Sequence, residues 1–460
     1  MHSNNTSSSP IRAALPIPPP DSIGSLSYDK HSESELQAAR FLSELPAIRI
    51  WIPDTLRYGL QANSSHLVAR IRDMGYERPI EVVYGQRKEG QLPRIDLFFD
   101  EFDPHGKEDQ YDSEGNLRFI SRSAFRERAL KGEMPMVPLA LSGGVDAPLP
   151  PTLLKAESIA WFNTAHWHFP SGMQFRGSSR VVPLESIQGA SIRSPIPDPD
   201  DSQEFIRETF QKFPHLAQKR EAVLAVDAAR LKTQILPVYG MEIGRNESMR
   251  YLIAGLELAR RGGPIILPVF EHFPLASIEK VIEQVKTDGV FKGPIRSLSF
   301  ADQDIAEKVD SFPPDGITIV SLDRCPAPVF EFFLSQADLP PTLYGVSTSK
   351  IMHQLGKPYL PTTREMPTTL TKMGFSDHPG FKKLTTAMIA LDRRRSNSLR
   401  VEPLKLHRAR AIQEYIVEAL DPNSEVTNLF NQIKDHVCSP ENELVTQGLL
   451  AVKKEIALSA

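Results

Sequence analysis

The sequence predicts an α/β protein: two Rossmann-like domains facing across a cleft, with helices at the C-terminal end. Two observations lead to this class. Short β-branched runs alternate with helix-length amphipathic segments, the pattern of parallel strands joined by crossover helices. That alternation occurs twice, from about residue 35 and again, more regularly, from about residue 232. A Pro/Asp-rich break, IRSPIPDPDDSQ at 192–203, lies between the two runs.

Residues 1–34 are rich in Ser, Asn and Pro and end in PIPPPDSIGSLS. Such a stretch buries too little apolar surface to offset its ordering entropy, so a disordered leader is expected. Order begins near Glu35. Ile48-Arg49-Ile50-Trp51-Ile52 alternates and reads as a strand. Asp54 and Gly59 follow in a loop, with Asn63 or Ser64 expected to cap a helix carrying Leu67, Val68, Ile71 and Met74 on one face and ending at Gly75. Ile80 to Tyr84 is the next strand. Phe98 to Asn116 is acidic and loop-like; Ser123 to Lys131 is a short helix; Met136 to Leu141 and Ser158 to Phe162 read as buried strands. Two helical segments, 202–213 and 215–231, follow the break, and the first domain is assigned to 35–225.

The second domain, 232–385, starts with strand Ile235 to Tyr239. A helix capped by Asn246 presents Met249, Leu252, Ile253 and Leu256 on one face and stops at Gly262-Gly263. Strands 265–269, 295–300, 317–322, 342–344 and 358–360 then alternate with helices built on Leu275 to Val285, 301–310, 326–336 and 347–355. Right-handed crossovers follow for a doubly wound sheet. Residues 396–460 read as further helices, broken at Pro422-Asn423.

Composition narrows the function class. The chain has 460 residues, 40% hydrophobic and 24% charged, with 53 Lys plus Arg against 57 Asp plus Glu. A net charge of −4 gives no support for a dedicated nucleic-acid binder, and Arg393-Arg394-Arg395 reads as a solvated surface. Cys325 and Cys438 are too few for a disulfide framework or a Cys-rich zinc site, and point to a reducing, cytoplasmic compartment. No apolar run reaches the length of a membrane span. MHSNNTSSSP lacks the basic start and apolar core of a Sec signal. The Ser-rich leader also resembles those of bacterial type III secreted effectors, so secretion without a cleaved signal is the alternative, beside a plain disordered tail.

Ser142-Gly143-Gly144-Val145-Asp146 resembles the phosphate loop of ATP pyrophosphatases. That loop needs a helix immediately after it, whose N-terminal N–H groups meet the phosphate. Pro148, Pro150 and Pro151 occupy the place of that helix, and Ala147 replaces the family's final Ser. The segment therefore reads as a turn at a strand end, with Asp146 either lining the acceptor side of the cleft or serving the turn.

The segment LSQADLPPTLYGVSTSKIMHQLGKPYL, Leu334 to Leu360, resembles the donor-binding part of GT-B glycosyltransferases in its Ala337-Asp338, Leu343-Tyr344-Gly345, Ser347-Thr348-Ser349 and Gly356-Lys357-Pro358. Gly345 allows close backbone approach, and Ser347, Thr348 and Ser349 open a helix whose N-terminus favours an anion. The resemblance implies a GT-B-like fold and metal-independent transfer of a sugar from a nucleotide-sugar, a co-substrate, with no other cofactor. It implies a donor site of Gly240, Glu242, Arg245, His272, Gly345, Ser347, Thr348, Ser349 and Lys350. Where many members carry an acidic ribose ligand this chain has Ile351. An ordinary βα loop at 240–245 and a surface role for His272 are the alternatives at those positions.

On the acceptor side the same resemblance places Asp54 as general base, with Gly59, Gln61 and Asn63 in its loop; a loop-capping Asp is the plain alternative. Trp161 to His168 groups two Trp and two His, of which His166 and Trp167 are further acceptor-side candidates, with core and rim packing as the alternative. His-x-His has no third ligand at recognisable spacing, so no metal is expected. The partners are then a nucleotide-sugar and an unknown acceptor, protein or small molecule. A GT-B-shaped interaction protein without donor binding, such as a secreted effector, is the competing class, and a sugar-nucleotide epimerase a third.

Overall fold

The computed structural model describes residues 32–52, 58–85, 94–99, 102–103, 109–112, 115–143, 155–162, 180–182, 192–193, 196–241, 246–260, 262–291, 293–362, 365–391 and 404–457. The first half runs α1 (Glu33–Glu44), β1 (Ile48–Ile52), α2 (Tyr58–Asp73), β2 (Ile80–Tyr84), β3 (Asp109–Tyr111), β4 (Leu117–Ser121), α3 (Arg122–Lys131), β5 (Val137–Ser142), β6 (Ala156–Trp161) and β7 (Arg180–Val182). The leader lies outside the described residues except for its last three positions, where Ser32 caps α1 by accepting from the Glu35 N–H.

These strands form a seven-stranded sheet in the order β3-β4-β2-β1-β5-β6-β7, parallel except for the β3–β4 edge pair. β1 is buried on both faces. Ile48, Ile50 and Ile52 face a core shared with α1, α2 and residues 444–452, while Trp51 faces a second core with Phe125 and Ala129 of α3. The second core also holds a charge ladder. Arg49, wholly buried on β1, donates to Glu81 of β2 at 2.8 Å and to the carbonyls of Lys155 and Pro135, and its guanidinium lies 4.8 Å from the Phe125 ring centroid. Arg118 of β4 then bridges Glu81 and Asp109, each at 3.3 Å. The ladder follows the parallel register, which sets Arg49 opposite Glu81 and Glu81 opposite Arg118.

The second half runs α4 (Ser202–Lys212), α5 (Arg220–Arg230), β8 (Gln234–Ile235), α6 (Asn246–Ala259), β9 (Ile265–Val269), α7 (Leu275–Thr287), β10 (Ile295–Ser299), α8 (Ile305–Asp310), β11 (Ile317–Ser321), α9 (Ala327–Ser335), β12 (Thr342–Leu343), α10 (Val346–Leu355), β13 (Leu360–Pro361), α11 (Glu365–Lys372), α12 (Pro379–Leu391), α13 (Leu406–Ala419), α14 (Glu425–Cys438) and α15 (Leu444–Ala457). Its strands pair in the order β10-β11-β9-β8, all parallel. Val238 bridges Val269 on one side and Thr342 on the other, so the β12–β13 pair continues the sheet beyond β8. In both sheets the strand order reverses beside the first strand, between β1 and β5 and between β8 and β12. The fold is thus α/β with two Rossmann-like halves and C-terminal helices.

Three sequence expectations change in the fold. The strand expected over 235–239 is regular at Gln234–Ile235 and continues against β9 through the N–H groups of Leu236 and Val238, which donate to the Ile266 and Pro268 carbonyls, with Val238 as an isolated bridge. Helices α4 and α5, expected with the first domain, bury Ile206, Phe210, Val223 and Val226 in the core of the second. The C-terminal helices do not form a unit of their own. α13 packs on α6 and α14 on α10 and α12, whereas α15 returns to the first half against α1 and β6. Gly448 of α15 allows that return: a Cβ there would meet the Phe162 ring at 2.2 Å.

Glu81→Ala would leave Arg49 charged, buried and short of its carboxylate. Urea denaturation is expected to show a loss of about 3–5 kcal/mol, whereas Arg118→Ala, at the solvated end of the ladder, should lose well under half of that.

Candidate functional site

In doubly wound sheets the crevice beyond the strand carboxyl ends, at the point where strand order reverses, is where ligands sit. In the first half that point lies between Ile52 and Ser142. The Ser142 hydroxyl donates to the Trp51 carbonyl at 3.0 Å, tying the two strand ends together. Gly143 follows, and α2 lies directly on it. A Cβ at Gly143 would stand 2.5 Å from the Ser64 backbone nitrogen and 2.6 Å from the Asn63 carbonyl carbon. The Gly143 N–H donates to the Ser64 hydroxyl at 3.2 Å, and the Asn63 amide donates to the Gly143 carbonyl at 3.1 Å.

This contact corrects the expected start of the helix. Asn63 and Ser64 do not cap α2; the helix begins at Tyr58, and both are buried inside it. Their side chains satisfy the end of β5 instead of the helix's own N-terminus. Gly59, Gln61 and Asn63, expected in an open loop, therefore lie on α2, with Gln61 and Asn63 buried. Asp54, Asp146, His166 and Trp167 lie outside the described residues.

In the second half two glycine turns meet at the reversal point. Gly240, after β8, has φ 94°, and a Cβ there would stand 2.3 Å from Tyr344 Cβ and 2.6 Å from Thr362 Oγ1. Close approach is thus required at Gly240, and the approaching groups are Tyr344 and Thr362. The Tyr239 N–H donates to the Thr342 carbonyl at 3.0 Å, and Glu271, at the end of β9, accepts from the Met241 N–H at 2.5 Å. These bonds pin the turn from both neighbouring strands. Gly345, φ 83°, ends the β12 segment and immediately precedes α10; a Cβ there would meet nothing within 4 Å. It offers α10 no side-chain cap, so the helix's first N–H groups and positive dipole end are available to an anion.

The side chains that follow Gly345 turn inward, which corrects the expected donor-facing row. The Thr348 hydroxyl donates to the carbonyls of Tyr344 at 2.6 Å and Gly345 at 3.0 Å, and so locks the turn. Ser349 is fully buried and hydrogen-bonds Tyr359. Lys350 is also buried, against Asn63 of α2 and away from the turn. Burial pushes its amine down to about 7, partly opposed by the negative charge of Glu443. Burial, and next the charge of Lys350, pushes His353 down to about 3; its Nε2 lies 2.9 Å from the Tyr359 hydroxyl. The backbone of Ser347 lies in α10 and its side chain outside the described residues, as do Glu242 and Arg245. Ile351 belongs to the core of the second half.

His272 stands exposed beyond β9, its Nδ1 3.8 Å from Asp323 Oδ1. Asp323, missed in the sequence, holds φ 55° at the end of β11 and also pairs with the buried Lys219 at 3.4 Å. No local pattern marks it, since a left-handed Asp after a strand reads as an ordinary turn residue. Glu331 of α9 was missed as well. It is buried with its Oε1 2.9 Å from His66 Nε2 of α2, a second contact between the halves.

No family model matches the chain, and no curated protein matches it. Among solved structures the chain is similar to WaaG, a glycosyltransferase involved in lipopolysaccharide biosynthesis, at 11% identity and TM-score 0.37, over 88% of this chain and 98% of that one. It is similar to an alpha-glucosyltransferase in complex with UDP and a 13-mer DNA at 11% identity and TM-score 0.34, over 90% and 98%. The structure of trehalose-6-phosphate from E. coli bound with UDP-2-fluoro glucose matches at 10% identity and TM-score 0.36, over 89% and 98%. Overlap at these scores leaves the reading of the site to this chain's own residues.

The glycines of the site separate by what surrounds them. Gly240→Ala adds a clash to an unfavourable φ and should cost more than about 2 kcal/mol in urea denaturation. Gly345→Ala meets open space but places a side chain at φ 83° and ψ 154°, a conformation that glycine alone takes readily, and should cost about 1–3 kcal/mol. Gly143→Ala should cost about 1–3 kcal/mol by pushing α2 off β5.

Proposed function

We propose that the chain is a glycosyltransferase-like enzyme that moves a sugar from a nucleotide-sugar donor to an acceptor. The observation that carries this reading is the junction of the Gly240 and Gly345 turns at the reversal point of the second sheet, with α10 starting there uncapped by any side chain. A diphosphate suits that junction: orphan N–H groups and the helix dipole neutralise it without a metal and favour its departure as a leaving group. Thr348 supports the role by bonding the Tyr344 and Gly345 carbonyls, which fixes the turn. Positive charge in the donor site then comes from Arg245, with Glu242 in the same loop, rather than from Lys350. His272, on the neighbouring strand end, flanks the junction. Asp54, after β1, is the general base for the acceptor, which the first half would hold beside Gly59 and Asp146, with His166 and Trp167 at the β6 end.

One observation favours the second reading, an interaction protein of the same shape without donor chemistry. Ile351, at the position where the resemblance calls for an acidic ribose ligand, is wholly within the apolar core, so α10 supplies no carboxylate there.

Isothermal titration with UDP, GDP and dTDP distinguishes the two. The enzyme reading expects one nucleotide to bind, with binding abolished by Gly345→Trp in a variant that keeps its circular dichroism spectrum. Slow hydrolysis of the matching nucleotide-sugar should accompany it, lost in Asp54→Asn. Heat-silent titrations with all three nucleotides would leave the interaction protein as the reading.

A further inference from the structure

Among the described residues the contacts between the halves include two buried polar pairs, besides Leu97 in the core of the second half and the His215–Asp96 pair at 3.3 Å. Asn63 and His66, one turn apart on α2, face Lys350 on α10 and Glu331 on α9. Lys350 donates to the Asn63 side-chain carbonyl, and both residues are buried. Asn63 is neutral, and among the described residues no carboxylate bonds the Lys350 amine directly. Other charged groups surround it from every packed element. His353 lies one turn along α10. Arg70 lies further along α2. Glu443, before α15, is buried, 3.7 Å from Arg70 Nε, and accepts from the N–H groups of Val445 and Thr446. Lys434 of α14 packs on Gly356 at the far end of α10, and Lys372 of α11 is exposed. Glu443 is thus already engaged by Arg70 and by the start of α15.

We propose that the buried Lys350–Asn63 contact is a proton-operated latch between the two halves, holding them together while the amine is neutral and letting them part when it takes up a proton. The neutral amine donates one hydrogen bond and needs no counter-charge, so it is tolerated in a dry interface. The ammonium needs hydration or a paired carboxylate, and parting the halves supplies water. The proposal is independent of the donor reading, because the latch lies between α2 and α10 whatever binds at Gly345.

The sign follows from linkage. With the halves together the amine is held down to about 7; with Lys350 in water it returns toward its ordinary value of 10.5. Between those values the parted state binds the extra proton, so each unit of rising pH favours the joined state up to tenfold. Below about 7 both states are protonated and the dependence levels off. The joined state is therefore weakest at and below neutrality and strengthens above it.

Small-angle X-ray scattering of the full chain from about pH 6 to about pH 9, with urea midpoints at the same pH values, tests the latch. The wild type should be more extended at the acid end and contract above neutrality. Lys350→Met should remain contracted throughout, with a flat profile. Asn63→Asp gives the ammonium a carboxylate, so it should remain contracted at neutrality and keep the test open if Lys350→Met does not fold. His66→Gln should retain the wild-type pH profile, because its pair with Glu331 is a separate contact. A wild-type profile that is flat, that survives in Lys350→Met or Asn63→Asp, or that vanishes in His66→Gln overturns the proposal.

Discussion

Gly143 is the point on which the two halves are set. Because it has no side chain, α2 rests with its backbone against the end of β5, closer than any other residue would permit. Everything α2 carries toward the second half is placed by that approach. Asn63 meets Lys350 and His66 meets Glu331 only because the helix lies this deep between the sheet and its neighbour. A larger residue at 143 would lift α2 and move both contacts together. The helix turn that secures β5 is thus also the one that joins the domains, and the polar groups of Asn63 and Ser64 serve both ends.

The second half repeats the device with a different result. Gly240 is again a glycine that another backbone segment overrides, here the Tyr344 turn. The consequence is that the turns after β8 and β12 are stacked, and the helix start at Gly345 is held in place from behind. Thr348, Ser349 and Tyr359 fix α10 from the inside, and Gly345 gives its first turn no side-chain cap. A preorganised anion site needs that combination, since a helix end that could swing would lose most of the benefit of its dipole.

The chain crosses between the halves at two places, and these are tied together. Arg193 donates to the Cys438 carbonyl at 2.8 Å, and Gln354 at the end of α10 donates to the Ile192 carbonyl at 3.1 Å. The outgoing segment, the returning segment and α10 are thus hydrogen-bonded to one another. α15 completes the return by docking on α1 and β6. Among the described residues, rotation of one half against the other is resisted by the two buried polar pairs, by Leu97 in the core of the second half and by the His215–Asp96 pair, beside this double crossing.

The elements were legible in the sequence because period and punctuation are local: strands 48–52, 80–84 and 265–269, the helix expected over 123–131 and found at Arg122–Lys131, and the alternation from 232 onward all follow from side-chain spacing and turn residues. The glycine turns at 240 and 345 were also visible. The roles of those residues were not. Asn63 reads as a helix cap from its neighbours alone, yet it lies mid-helix because Gly143, 80 residues away, offers it a carbonyl. Lys350 reads as a cation beside a phosphate turn, yet it points into the interface with α2. Asp323 and Glu331 carry no local signal at all. The sequence by itself determined which segments are strands and helices and that two parallel sheets form, since those depend on propensity and periodicity. Only the tertiary structure decided where each polar side chain ends, because that depends on partners distant in the chain and on glycines whose lack of a side chain lets those partners come close.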